Sequence, residues 1–355
     1  MKKRIVKRIV ICSDGTWNKP EDELGKDYPT NVLKIARAIK PFGDDGLPQQ
    51  VFYDWGVGAD FGRFSGGITG KGVEKNIVDG YRYIVQNYNP GDEIYLFGFS
   101  RGAYTMRALS GFINNCGILK RDNAKLINTA FEHYKNDGDD YAPSGRKSVD
   151  FRKQHSHESR DIKFIGLWDT VGAMGIPISF LGNFSEENEF FDTKLGKNVK
   201  NARHALAIDE HREDFEPTFW EIKDEEHVKQ VWFAGVHSDI GGSYEVEGGI
   251  SLSYNSLNWM IKEVEDIGLS IEEHLKKEIS KPPLELALAK KHESRVKFFK
   301  LKRKLYRAIK HDFGKVLIHE SVKIRYENDR DYKPKNLEEY LKEIQNWENV
   351  NIEEI

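Results

Sequence analysis

A chain of 355 residues, 39% of them hydrophobic and 12% aromatic, can bury the core of one large α/β domain or of two smaller ones. Its net charge of -3 and its two cysteines, Cys12 and Cys116, speak against a binder held on nucleic acid by phosphate contacts and against a disulfide framework. No run approaches the ~20 apolar residues of a membrane span, and the basic start MKKRIVKRIV is interrupted by Lys7 and Arg8, so it reads as a strand rather than a leader and a cytoplasmic chain is expected.

The first strand is expected at RIVICS, closed by the turn-prone DGTWN. A helix follows over about residues 30–39, with Thr30 or Asn31 as cap and Val32, Ile35 and Ile39 on one face. QQVFYDWG reads as a second strand, whereas GVGADFGRFSGGITGKG is too glycine-rich for regular structure and reads as a mobile loop. VEKNIVDGYRYIVQNY has helical apolar spacing, NPGD is a turn, and EIYLFGF is a short apolar strand of the kind buried on both faces of a parallel sheet. RGAYTMRALSGFINNCG predicts a helix that stops at Gly117. IKFIGLWD, ARHALAID and HVKQVWFAG are further strand-like runs, and SLSYNSLNWMIKEVEDIG is a further helix. Strands alternating with helices imply an α/β architecture, a doubly wound, mostly parallel sheet with helical and loop insertions. The helix-rich, charged segment from about residue 275 is expected to extend the same domain, making residues 1–355 one unit.

Gly98-Phe99-Ser100-Arg101-Gly102 stands where the strand EIYLFGF meets the helix. The pattern G-x-S-x-G is common by itself; an apolar strand directly before it and a helix directly after it are not. So tight a turn forces its middle residue into a strained backbone, and Gly98 and Gly102 remove the side chains that would clash. Ser100 is then presented at the carboxyl edge of the sheet, with the Arg101 N–H at a helix start, as in the nucleophile elbow of a serine hydrolase.

Such a serine needs a base, and the base needs an acid. In the chain order serine, acid, histidine, Asp169 lies just past IKFIGLW and His237 lies in a loop beyond VKQVWFAG. The rival base His204 lies inside a strand-like run and reads as a core histidine. Asp239 reads as a loop hydrogen-bonder and stays open as an alternative acid. An oxyanion hole needs two N–H donors: Arg101 supplies one, and Gly15 and Thr16 are candidates for the other, in a turn ordered by Asp14.

Other patterns carry less. TGKG fails as a phosphate loop because Ser65 and Gly72 stand where glycine and a hydroxyl residue are required. His155, His157 and Glu158 sit in a polar stretch that reads as solvated loop, and no spacing supports a cation between Asp14 and Asp239. No cofactor or metal is called for. Two segments are expected to flank the serine, the glycine-rich residues 56–72 as a lid and residues 173–184, AMGIPISFLGNF, as an acyl-chain wall or ordinary core. Residues 290–315 carry eleven Lys or Arg against two acidic residues, with Phe298, Leu301, Leu305, Ala308 and Ile309 at helical spacing. They predict a basic amphipathic helix that either docks on an anionic membrane or packs on the sheet.

DGTWN, GFSRGAYTMRAL, WDTVGAMG, RHALAIDEHREDFEPTFW and GVHSDIGGSY, in this order, closely resemble the DUF2235 family of α/β-hydrolases, which includes the catalytic domains of Tle1-type type VI secretion phospholipase effectors. The resemblance extends over nearly the whole chain. It implies Ser100 as nucleophile, Asp169 as acid and His237 as base, with phospholipid as leading substrate; the net charge argues against nucleic acid as a partner, and the basic stretch 290–315 is what would give peripheral membrane contact. For an effector the resemblance further implies export by a dedicated secretion system and an immunity protein as partner. A soluble-substrate esterase or thioesterase, and a non-catalytic binding module on a hydrolase scaffold, stay open beside it.

Overall fold

The computed structural model describes residues 6–15, 28–56, 70–171, 195–222, 227–296 and 302–354. Among these, eight strands form one sheet: β1 (Arg8–Ser13), β2 (Gln49–Asp54), β3 (Glu93–Phe99), β4 (Phe164–Trp168), β5 (Ala202–Ala207), β6 (Val228–Phe233), β7 (Leu317–His319) and β8 (Ile352–Glu353). Their order is β2-β1-β3-β4-β5-β6-β7-β8, and every neighbouring pair is parallel. The α-helices are α1 (Asn31–Ala38), α2 (Gly70–Asn87), α3 (Arg101–Cys116), α4 (Ile127–Tyr134), α5 (Arg146–His155), α6 (His237–Gly241), α7 (Ser253–Glu265), α8 (Glu273–Ile279), α9 (Pro283–Leu288), α10 (Glu320–Asn328) and α11 (Lys335–Glu343).

The central strands are apolar on both faces because both faces are covered. Ile9 and Ile11 of β1 join Ile94 and Leu96 of β3 in a core closed by α2, α3 and α4. Val10 and Cys12, with Tyr95 and Phe97, point the other way into a core closed by α1, α7 and α8. A third cluster packs Leu206, Trp232 and Ile318 under α10 and α11. The result is the expected doubly wound α/β-hydrolase fold, with all pairings parallel where mostly parallel ones were expected.

Local signals place several ends well. Thr30 caps α1 by accepting the Leu33 N–H at 3.1 Å, and α3 stops at Gly117, whose φ is 73°. The glycine-rich loop ends earlier than its composition suggested, since α2 is already helical from Gly70. Burial of Val73, Ile77, Tyr81 and Ile84 holds that helix and outweighs the poor propensity of its first turn.

The predicted helix over residues 290–315 is a correction. Of its described parts, residues 290–296 and 302–310 have no helical structure and His311–Phe313 form a single 3-10 turn; Phe298, Lys300 and Leu301 lie outside the described residues. Helical spacing misled because these side chains are used one at a time rather than along a face. Ile309 enters the third core, Ala308 is exposed, Leu305 N–H donates to the His211 carbonyl at 3.0 Å, and Arg307 is buried.

β1 pairs with β2 on one side and β3 on the other, so the chain leaves their carboxyl ends in opposite directions. In open α/β sheets that divergence opens the crevice where ligands bind. Asp14 follows β1 and Ser100 follows β3.

Candidate active site

Ser100 occupies the turn between β3 and α3 with φ 58° and ψ −122°, a conformation rarely adopted by a residue with a side chain. Its N–H donates to the Trp168 carbonyl at 3.1 Å, which ties the turn to the end of β4. A Cβ on Gly98 would lie 2.5 Å from the Gly102 carbonyl oxygen, and one on Gly102 would lie 2.0 Å from the Ser13 carbonyl oxygen. The elbow therefore closes only with glycine on both sides. Gly102→Ala is expected to cost about 1–3 kcal/mol, because the obstructing atoms are backbone that cannot swing aside. A thermal melt within a degree of the wild type would show that α3 can retreat from β1.

Asp169 follows β4, is fully buried and also has a positive φ, 41°. Its Oδ2 accepts the His237 Nδ1 hydrogen bond at 2.6 Å and one from Arg307 Nη2 at 3.0 Å. Its Oδ1 accepts from the Ala207 N–H at 3.0 Å and from Arg307 Nη1 at 2.6 Å. Burial alone would raise its pKa, but the Arg307 charge and the His237 bond hold it well below the ordinary carboxylate range.

His237 opens the short helix α6, rather than lying in a loop as expected. Its ring lies 4.6 Å from that of Phe99, the residue before Ser100, and 5.0 Å edge-on from that of Phe215. Burial lowers its pKa against the opposing pull of the Asp169 hydrogen bond, which favours the neutral imidazole. Its main-chain N–H meets Glu210 Oε2 at 3.3 Å; Glu210 in turn binds Arg212 and accepts from Ser294 Oγ at 2.8 Å.

The rival residues have other partners. His204 is buried in β5, where its Nε2 accepts the Thr170 N–H at 3.1 Å, and burial first, then the Arg107 charge, pushes its pKa down to about 3. It is a neutral core group that holds the segment after Asp169. Asp239 Oδ2 accepts from the Val236 N–H at 3.0 Å, capping α6, and its Oδ1 bonds His292 Nδ1 at 2.7 Å. Through these bonds it steadies the helix carrying His237.

Arg101 is the first residue of α3, and its N–H has no partner within that helix. Burial lowers its guanidinium pKa to about 10. Of the candidates for the second donor, the Gly15 N–H donates to Asp14 Oδ1 at 2.7 Å. Thr16 lies outside the described residues. Asp14 does order the turn, since its Oδ2 also accepts from Thr30 Oγ1 at 2.5 Å and from the Tyr53 hydroxyl at 2.8 Å. Of the two access segments, residues 57–69 of the first (56–72) and all of the second (173–184) fall outside the described residues as well. Among the described residues, no group of three or more His, Cys, Asp or Glu side chains is placed to hold a metal ion, and no helix is long and apolar enough to cross a membrane.

Sequence reasoning missed Arg307, Glu210 and His292. Glu210 stands in a stretch singled out for its motif, but Arg307 and His292 belong to the basic segment expected to form an amphipathic helix on a membrane or on the sheet, where nothing local marks them.

A family model described as the catalytic domain of Tle1-like type VI secretion phospholipase effectors matches residues 7–263. The uncharacterized protein YEL023C of Saccharomyces cerevisiae is 27% identical over 231 residues, 59% of this chain and 32% of its own. The crystal structure of an uncharacterized protein from Pseudomonas aeruginosa shares the fold with a TM-score of 0.53 at 18% identity, over 79% of this chain and 50% of that one. A Tle1 effector solved bound to the VgrG spike of the type VI secretion system aligns with a TM-score of 0.38 at 18% identity, over 69% of this chain and 52% of that one. The chain thus spans about a third of the yeast relative and half of the Pseudomonas protein. Matched by the family model over most of its length, it belongs to the family of Tle1-like phospholipase effector catalytic domains.

Proposed function

We propose that this chain is a serine carboxylic-ester hydrolase acting on lipid esters, phospholipid first among them. The observation that carries the reading is the 2.6 Å bond between Asp169 and His237, whose ring packs on Phe99 beside the strained Ser100. His237 Nε2 takes the Ser100 proton as Oγ adds to the ester carbonyl, and the Arg101 N–H donates to the oxyanion. Collapse expels the alcohol, which receives that proton from His237, and leaves an acyl-serine. Water, deprotonated by the same imidazole, then releases the fatty acid. Family membership supports a lipid substrate over other esters. In an effector, the same site would be what a secretion system delivers and an immunity protein blocks.

Product analysis on mixed phospholipid vesicles tests this, with Ser100→Ala beside the wild type. Free fatty acid and lysophospholipid released by the wild type alone support the reading. Cleavage of short soluble esters with no rise at lipid aggregates means a soluble-substrate esterase. Failure to react with a serine-directed phosphonate means a binding module.

Acidic pH offers a separate check. The base works only as neutral imidazole, and burial lowers its pKa from the ordinary 6.5. The acid limb of kcat/KM on a soluble ester is therefore expected below pH 6.5, with activity on its plateau at pH 7. A limb centred above pH 7 would contradict the role given to this histidine.

A further inference from the structure

Arg307 lies beyond the residues that the family model matches. It belongs to an extended strap, residues 302–310, fastened along the carboxyl end of β5. Lys304 bridges to Arg212, Leu305 N–H donates to the His211 carbonyl at 3.0 Å, and Asn336 Nδ2 at the start of α11 donates to the Arg307 and Ile208 carbonyls at 3.0 Å each. From this strap the guanidinium reaches inward until its side chain is 1% exposed against a fully buried Asp169. Both of its terminal nitrogens bond that carboxylate, and they also donate to the carbonyls of Ala207 and of Phe215, the residue whose ring meets His237 edge-on.

Stability is a poor reason for this arrangement, because a buried ion pair is often matched or bettered by apolar residues of similar volume. Geometry offers a better one. A fork on both oxygens stops the carboxylate from rotating and leaves Oδ2 aimed at His237 Nδ1. We propose that Arg307 is a positioning residue of the site, clamping Asp169 so that it meets His237 in a single orientation and with its charge already offset. This rests on the triad reading above.

The charge has a consequence for pH. The charged groups that act on the His237 imidazole are Asp169 at the end of β4 and Glu210 and Arg212 after β5, and Arg307 reaches it through Asp169, whose charge it offsets; Asp239, on the same helix, is held by Val236 and His292. Without Arg307, two carboxylates face one remaining cation, and the imidazolium form gains.

The test measures kcat/KM against pH on a soluble ester for Arg307→Met and Arg307→Lys, with circular dichroism and phosphonate labelling of Ser100 alongside. The Met variant is expected to move the acid limb up by about one pH unit and to lose at least ~10-fold in kcat. The Lys variant keeps the charge but not the fork, so it is expected to hold the wild-type limb while still losing kcat. A folded Met variant with the wild-type limb overturns the proposal, whatever its kcat, since a merely structural arginine would leave that limb in place. If the Met variant does not fold, the Lys variant decides: unchanged kcat overturns the proposal, and lowered kcat at an unchanged limb supports it. Failure of the triad reading looks different, because Ser100→Ala would then stay active and the wild type would not take up the phosphonate.

Discussion

Replacing Ser100 or His237 by alanine is expected to lower turnover on the order of 10³-fold or more in each case, and the double variant is expected to lose little beyond that. Without the imidazole, the Ser100 hydroxyl is too weak a nucleophile; without the hydroxyl, the imidazole has nothing to activate. The residual rate is expected to come from substrate binding and from the proposed Arg101 N–H donor. Folding is expected to survive both changes. His237→Ala leaves Asp169 bonded to Arg307 and to the Ala207 N–H, so no buried charge is stranded. Ser100→Ala keeps a Cβ at φ 58° and so neither adds nor relieves backbone strain. The check is kcat on one ester for all three variants, with thermal melts alongside. Losses that multiplied in the double variant would mean that the two residues do not act in one step.

Asp169→Asn is expected to cost ~10³–10⁴-fold in kcat, through the wrong tautomer. Ala207 and Arg307 require an acceptor at the Oδ1 position, so the amide oxygen settles there and the NH₂ group takes the place of Oδ2. That NH₂ donates to Nδ1, which sends the imidazole proton to Nε2 and leaves nothing to receive the serine proton. The same NH₂ also faces Arg307 Nη2 without attraction, so a buried guanidinium loses its counter-charge. Removing one partner of such a pair costs about 3–5 kcal/mol, and the melting temperature is expected to fall with the activity. Asp239→Asn is expected to be far milder, because Asp239 bonds Val236 and His292 and caps α6 instead of orienting the His237 ring. Near-full activity in Asp169→Asn together with a dead Asp239→Asn would reassign the acid.

The parts of this protein that were legible in its sequence are those whose cause is local. EIYLFGF is β3 to the residue because a buried parallel strand must be continuously apolar and because Ser100 ends it. The elbow was readable because sterics demand glycine at fixed offsets around a residue with positive φ, and Asp169 and His237 because each stands just past the end of a strand. Tertiary structure alone decided what surrounds them. Arg307 reaches Asp169 across 138 residues, and its own stretch, basic with apolar residues at helical spacing, fits the pattern of a surface helix. Periodicity reports a face only when neighbouring side chains share one environment, and here Arg307, Ala308 and Ile309 go to Asp169, to solvent and to a separate core. What the Gly15 N–H meets was decided the same way: the fold brings Thr30 and Tyr53 onto the far oxygen of Asp14, which turns the near one onto Gly15. Strands, turns and caps follow from short-range sterics and burial patterns, whereas the partners of a buried charge are chosen by whichever distant segments the sheet order brings to its side.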